Sequence, residues 1–425
     1  MTTDRLLNRK TTKVETGHEF KIKEKVYTRQ YSELYATRLN QLKDRLSTWP
    51  DIDQIRIVNV SSKVSSIFGT IYCDMPEKPN VLNDITRQQW VLPPAPKEKY
   101  LSEQDSILLE DESGRVKLTG SILKDHILTS GMVVGVVGNE SKDGSFEIID
   151  ICYPNYGPEI PLSLKDDTDC WVALVSGLNI DSSGSYDFKL HMLSEYLVGE
   201  LGESQDFSCN IVRVIIAGNS IAPLNQKQID DLTIRDDFGC ETTRYDSTPV
   251  ETLDEWLTEI CTSIDVDIMP GQTDPATHLM PQQAMHASMF TNSCHYSTFQ
   301  SVLFVVNNVL GTSGQNIENM YKYTKTDSRM DIAKQTLKCA HLAPTCPDTL
   351  WCYPFTDRDP FIIEQLPKVY FVGNQPQYES ELVLIGEHHV RIVMLPVFCE
   401  TGTLCLVNTR TLETKTVEFD ISKIE

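Results

Sequence analysis

Twelve cysteines run from Cys73 to Cys405 without one CxxC pair or paired Cys/His knuckle, which excludes the common zinc frameworks. Positive charge is scarce: 38 Lys+Arg stand against 60 Asp+Glu, for a formal charge of −22. A chain this acidic repels a phosphate backbone unless its cations gather on one face, so protein partners are expected ahead of nucleic acid. Long apolar runs are missing too. No stretch approaches the roughly 20 residues that span a bilayer, and the polar N-terminus has no apolar signal core, so the expected protein is neither exported nor embedded. Its cysteines are then expected to be reduced thiols, mostly in the core. The sequence shows no internal repeat and no low-complexity tract. Nucleophile and phosphate-loop signatures also fail: Ser176-Gly177 is no GxSxG elbow, and Gly311-Thr312-Ser313-Gly314 lacks the Gly-Lys-Ser/Thr ending and reads as a turn.

What is present divides into three stretches, 1–50, 51–161 and 162–425, and 425 residues suffice for two sizeable cores. The first 30 residues are locally basic (Arg5, Arg9, Lys10, Lys13, Lys21, Lys23, Lys25, Arg29) and read as a solvated, mobile tail ahead of a localisation signal or a DNA-touching arm. Tyr27, Tyr31, Leu34, Tyr35, Leu39, Leu42 and Leu46 recur at three and four, which predicts an amphipathic helix over 27–46 docked on the protein's own core. Between Ile52 and Pro161 the period shortens. Ile55, Ile57, Val60, Val64 and Ile67–Ile71 suggest one winding strand, followed by a Pro-rich excursion from Pro76 to Pro96. Strands are then expected at 106–110, 115–118, 132–137 and 146–151. Five short strands with a helix-length insert fit an oligonucleotide-binding-type barrel. Its few aromatics and acidic loops (Glu103, Asp105, Glu110, Asp111, Glu112) favour protein docking over nucleic acid.

After a Pro/Gly-rich boundary at 154–161, apolar strands at 171–175, 211–217 and 266–269 alternate with helical segments at 188–201 and 250–264. More β-prone runs follow at 302–306, 369–372, 390–396 and 403–407, with a short one near Val417. That alternation predicts a layered α/β sandwich, whose strand ends are where ligands sit. At the end of the 266–269 run, Pro270-Gly271 leads into Gln272, Thr273 and Asp274. A two-metal phosphoesterase would want an amide oxygen, a His and a carboxylate there; Thr273 stands where the His belongs.

The blocks DIMPGQTDP (267–275) and LMPQQAMHASMF (279–290), VLGTSGQN (309–316), HLAPTCPDTLWCYPF (341–355) and KVYFVGNQP (368–376) resemble, in order and spacing, the small (second, B) subunits of eukaryotic DNA polymerase delta. Trp351 departs from the glycine usual in that family. The resemblance implies an oligonucleotide-binding-type β-barrel joined to an inactivated calcineurin-like phosphoesterase α/β sandwich. It implies a nuclear, non-catalytic accessory subunit of DNA replication and repair, without cofactor or metal. The implied partners are the C-terminal Cys-rich domain of the catalytic subunit and a third, clamp-interacting subunit, with the sliding clamp and DNA reached indirectly.

Laid on the family's phosphoesterase pattern, the metal positions fall on Ser176 and Leu178, on Asn219 in place of the bridging carboxylate, on Gln272, Thr273 and Asp274, on His341, and on Asn374 and Pro376. One His and one Asp cannot hold two divalent cations. Asp274 and His341 then read as an N-cap or turn carboxylate before Pro275 and a hydrogen-bonded histidine beside a Pro-containing loop. Trp351, Tyr353 and Phe355 are candidate partner anchors or core plugs. His278, His286 and His295 read as isolated polar or capping residues, and His388-His389, preceding a strand, point to opposite faces. Two other classes stay open: a residual metal-dependent phosphodiesterase, and a single-stranded-DNA module acting through the barrel.

Overall fold

The computed structural model describes residues 9, 20–23, 25–46, 65–79, 97–157, 170–182, 188–201, 205–224, 228, 233–235, 241–243, 246–296, 298–301 and 309–420. The readings placed on 52–64, 80–96, 158–161 and 302–306 lie outside these residues.

Strands β1 (Ser65–Asp74), β2 (Ser106–Glu110), β3 (Arg115–Thr119), β4 (Val133–Glu140) and β5 (Phe146–Cys152) close into a barrel in the order β1-β2-β3-β5-β4. In place of a helix-length insert, the described link between β3 and β4 carries one 3-10 turn, Ser121–Lys124.

The sandwich follows. Its larger sheet, in the order β11-β10-β7-β6-β16-β17, comprises β6 (Trp171–Val175), β7 (Ile211–Ala217), β10 (Asp265–Met269), β11 (Phe299–Ser301), β16 (Thr403–Asn408) and β17 (Thr414–Glu418). Strands β6, β7, β10 and β11 run parallel. The second sheet runs β12-β13-β15-β14, with β12 (Val309–Thr312), β13 (Val369–Gln375), β14 (Glu379–Ile385) and β15 (His388–Pro396). A small hairpin of β8 (Thr233–Arg235) and β9 (Glu241–Thr243) stands apart.

Every residue of β6 and β7 is buried, as expected of parallel strands covered on both faces. Alternation along them sorts the layers. Ala173, Val214 and Ile216 join Leu193 of the helix Phe188–Val198 and Trp256 of the helix Thr248–Cys261 in one apolar layer. Leu174, Ile215 and Ala217 share the other apolar layer with Phe371 and Val393 of the second sheet, whose neighbours Tyr370 and Ile392 point the opposite way, Tyr370 Oη lying 3.4 Å from Thr336 Oγ1. On that sheet's far side lie the helices Gln315–Lys322 and Arg329–Lys338, through Ile317, Ile332 and Leu337. The same cluster takes in Ile71, Leu109 and Phe146 of the barrel, so barrel and sandwich share one core.

The N-terminal helix is shorter than its apolar spacing predicts, Ser32–Leu46. Tyr27 and Tyr31 precede it because the loop 352–356 holds this stretch by other bonds. Val26 N–H donates to Tyr353 Oη (2.8 Å), Arg29 Nη1 to Thr356 Oγ1 (2.6 Å) and Tyr31 Oη to the Cys352 carbonyl (2.9 Å). Nor is the basic tail solvated throughout: Arg9 donates to the carbonyls of Leu197 (2.6 Å) and Ile211 (3.0 Å). Gly311 lies in β12, and Gly314 caps the following helix at φ 101°, so that stretch is a strand-to-helix junction and not an isolated turn. His388 and His389 open β15 instead of preceding it.

The helix packs Leu39, Leu42 and Leu46 against Val133, Cys152 and Ala340, and buries Arg38 on the same side. Arg38 Nε meets Asp359 Oδ2 at 2.6 Å, while its Nη atoms donate to the carbonyls of Gly131 (3.1 Å), Pro344 (2.9 Å) and Cys346 (2.8 Å). Gly131, at φ 87°, is required here: a Cβ on it would lie 1.9 Å from the Pro344 oxygen. Replacing Arg38 by Met strands the Asp359 charge, and should cost roughly 3–5 kcal/mol of stability, read by urea unfolding of the full chain. A loss under about 1 kcal/mol would show that the pair is dispensable.

Candidate functional site: the strand-end loops

The parallel strands β6, β7, β10, β12 and β13 send their following loops to one end of the sandwich. Ser176, directly after β6, donates through Oγ to the Pro396 carbonyl (3.1 Å) and accepts the Asn374 N–H (2.9 Å). Asn374, near the end of β13, donates its amide Nδ2 to the carbonyls of Ala217 (3.1 Å) and Ser313 (2.8 Å). One side chain therefore ties the ends of β7, β12 and β13 together. Among the described residues its Oδ1 has no hydrogen-bond partner.

Asn219 follows β7 and, like Asn374, adopts a left-handed backbone, at φ 54° and 56°. Asparagine is among the few non-glycine residues that take this conformation readily. Gly271 packs directly on Asn219; a Cβ there would lie 2.3 Å from Asn219 Oδ1. Asn219 Oδ1 accepts the Thr273 N–H at 3.4 Å, and Thr273 Oγ1 donates to the Ile221 carbonyl at 2.6 Å. Asp274 turns both oxygens inward, accepting from Gly271 N–H (2.7 Å) and Ile221 N–H (3.0 Å). Gln282, itself bonded by Gln315 (2.7 Å), donates to the Gly271 carbonyl at 2.9 Å.

Ser176, Asn219, Thr273, Asp274 and Asn374 thus belong to one network, and four other positions read from the sequence do not. The Leu178 side chain is buried in the apolar layer beside the helix Phe188–Val198. Gln272 and Pro376 are exposed. His341 sits at the helix junction, with Nε2 3.0 Å from Asp359 Oδ2 and Nδ1 accepting the Ala343 N–H at 3.2 Å. His286 caps a short 3-10 turn by accepting the Ser288 N–H. Tyr353 and Phe355 are buried against each other, whereas Trp351 is exposed. Sequence reasoning missed Arg38, Asp359, Ser313 and Gln282. Arg38 had a signal: it stands between Leu34 and Leu42 at intervals of four, a cation on the apolar stripe.

Chemically the network is nearly all neutral. Its one carboxyl, Asp274, is pushed up to about 6 by burial, against the opposing pull of the N–H groups that point at it. Among the described residues, no three His, Cys, Asp or Glu side chains gather as a metal-binding set. At the helix junction, burial and the Arg38 charge push the His341 imidazole down to about 4. Burial alone would raise the Asp359 carboxyl, yet Arg38 and His341 hold it well below the usual carboxylate range.

Asp274 and His341 act oppositely on acid stability. The raised Asp274 contributes stability that is full below its ordinary 3.8 and lost as pH rises through about 6. The lowered His341 contributes stability that is full above its ordinary 6.5 and lost as pH falls through about 4. Asp274→Asn removes the first contribution and keeps the second. Its melting temperature should therefore fall more steeply than the parent's between about pH 6 and pH 4. Parallel melting curves across a pH series would show that Asp274 does not titrate there.

Two family models match the chain: that of the B subunits of DNA polymerases alpha and epsilon over residues 172–380, and that of the DNA polymerase delta subunit OB-fold domain over 30–151. The DNA polymerase delta small subunit of Arabidopsis thaliana is 39% identical, covering 94% of this chain and 93% of that one. The Saccharomyces cerevisiae small subunit is 33% identical (94% and 91%), and DNA polymerase delta subunit 2 of Drosophila melanogaster 32% (97% and 99%). A solved archaeal phosphodiesterase overlaps with a TM-score of 0.27 at 9% identity, over 59% of this chain and 99% of that one, too loosely to bear on the fold. With such identity over 94% or more of its length, the chain belongs to the family of DNA polymerase delta small subunits.

Proposed function

We propose that this chain is a non-catalytic scaffold subunit of the DNA polymerase delta complex in the nucleus, acting in replication and repair. Family membership supports its place in that complex. In this reading it holds the C-terminal Cys-rich domain of the catalytic subunit on one side and a third, clamp-interacting subunit on the other. The sliding clamp and DNA are reached through those partners. Residues 51–161 form the oligonucleotide-binding-type barrel, 162–425 a calcineurin-like sandwich with a decayed metal site, and 1–50 a tail and docking helix.

The observation that carries the non-catalytic part is the bonding of Asn374. A hydrolytic pair of divalent cations needs anionic oxygens between the metals and imidazoles around them. Here the Asn374 amide directs its N–H donors at two backbone carbonyls, and Ser176 donates to a third. Asn219 is neutral where charge is needed, and both oxygens of Asp274 are taken by N–H groups. This donor set does not fit two metals, and its bonds hold the loops without them.

Affinity capture of the tagged chain from nuclear extract should recover a large polymerase chain and a third subunit in stoichiometric amounts. Recovery of the chain alone would refute the scaffold. Hydrolysis of bis(p-nitrophenyl) phosphate with Mn²⁺, above a mock preparation, would refute the non-catalytic part.

A further inference from the structure

We propose that Trp351, Tyr27 and Tyr31, with the cations of the stretch leading into the N-terminal helix, form a contact surface for single-stranded nucleic acid. The three aromatics flank one loop. Trp351 is 67% exposed, Tyr27 55% and Tyr31 41%. Tyr27 rests its ring on that of Tyr353, with centroids 5.5 Å apart, and Tyr31 is tied by its hydroxyl to the Cys352 carbonyl at 2.9 Å. The backbone beneath them is held by the Val26 N–H on Tyr353 Oη, and the Arg29 side chain is anchored on Thr356 Oγ1. These tyrosines are therefore ordered before anything binds, which lowers the entropy lost on association.

Lys21, Lys23, Lys25 and Arg29 are exposed along the same stretch, in a chain that is otherwise strongly acidic. Asp357 and Glu33, both exposed, are acids at its rim. Lysine is depleted from the cores of protein–protein interfaces, whereas aromatic faces among Lys and Arg are how sequence-tolerant proteins hold unpaired strands: bases stack, phosphates meet the cations. The composition favours a single strand over a protein segment. The acidic body keeps the contact local and weak, and salt dissolves it.

Fluorescein-labelled dT20 added to the full chain should raise its anisotropy at 25 mM salt and quench part of the tryptophan emission. With four cations engaged, log K should fall against log salt with a slope of about −3. Trp351→Ala should weaken binding about tenfold and abolish the quenching. Lys21→Glu/Lys23→Glu/Lys25→Glu should reduce the slope to about −1. These residues are exposed, so unchanged melting temperatures will confirm folded variants. Lys117→Glu on the barrel should bind like the parent. Absence of binding at 25 mM salt overturns the proposal, as does binding sensitive to Lys117 and indifferent to Trp351. Trp351 and lysine variants that bind dT20 normally but fail to capture the polymerase subunits would assign the surface to a protein, and also overturn it.

Discussion

A guanidinium shut away from water must find oxygen for its donors and a counter-charge for itself. Arg38 takes these from both major parts of the molecule: the Gly131 carbonyl from the barrel, and the Pro344 and Cys346 carbonyls with the Asp359 carboxylate from the sandwich. No rigid shift of barrel against sandwich leaves all of them paired. A buried ion pair gains little net stability over well-packed apolar groups, so its effect here is on geometry. The shared core supplies adhesion, and Arg38 supplies register. His341, aligned with the site pattern in sequence, belongs to this junction and shares Asp359 Oδ2 with Arg38, while Oδ1 accepts the Phe361 N–H.

The strand-end network answers a different constraint. Loops that converge at the edge of a sandwich carry backbone carbonyls without ladder partners, and a buried carbonyl left unpaired is costly. Ser176 and Asn374 meet that need with neutral donors, while Asn219 and Asn374 hold left-handed backbones that most side chains resist. Gly271 lets two of these loops touch. The loop shape thus rests on hydrogen bonds between chain segments remote in sequence.

That remoteness explains what the sequence disclosed and what it withheld. Apolar runs such as Trp171–Val175 and Ile211–Ala217 carry their own signal, because burial on both faces demands an unbroken run. The barrel strands declared themselves by short alternations between turn residues. The helix start did not, since Tyr27 and Tyr31 keep helical spacing while their bonds go to the 352–356 loop. Gly311 to Gly314 looked like a turn because two glycines in four residues hide a strand end followed by a helix cap. Ser176, Asn219 and Asp274 could be marked from strand ends, but that Asn374 would cross-link them to Ser313 depends on a contact 61 residues away. Leu178 shows the converse: aligned with a ligand position, it follows its apolar nature into the core.

The distance between Arg38 and Asp359 in the sequence, 321 residues, also sets an order of events during synthesis. At typical elongation rates of about 5–20 residues per second, the helix waits roughly 15–60 s on the ribosome before its counter-ion exists. Throughout that interval Leu39, Leu42 and Leu46 have no finished surface to cover them at Ala340, and the cation has nothing to enter against. The N-terminal helix therefore cannot complete its docking until the chain has been made as far as Asp359, most of the way through the sandwich.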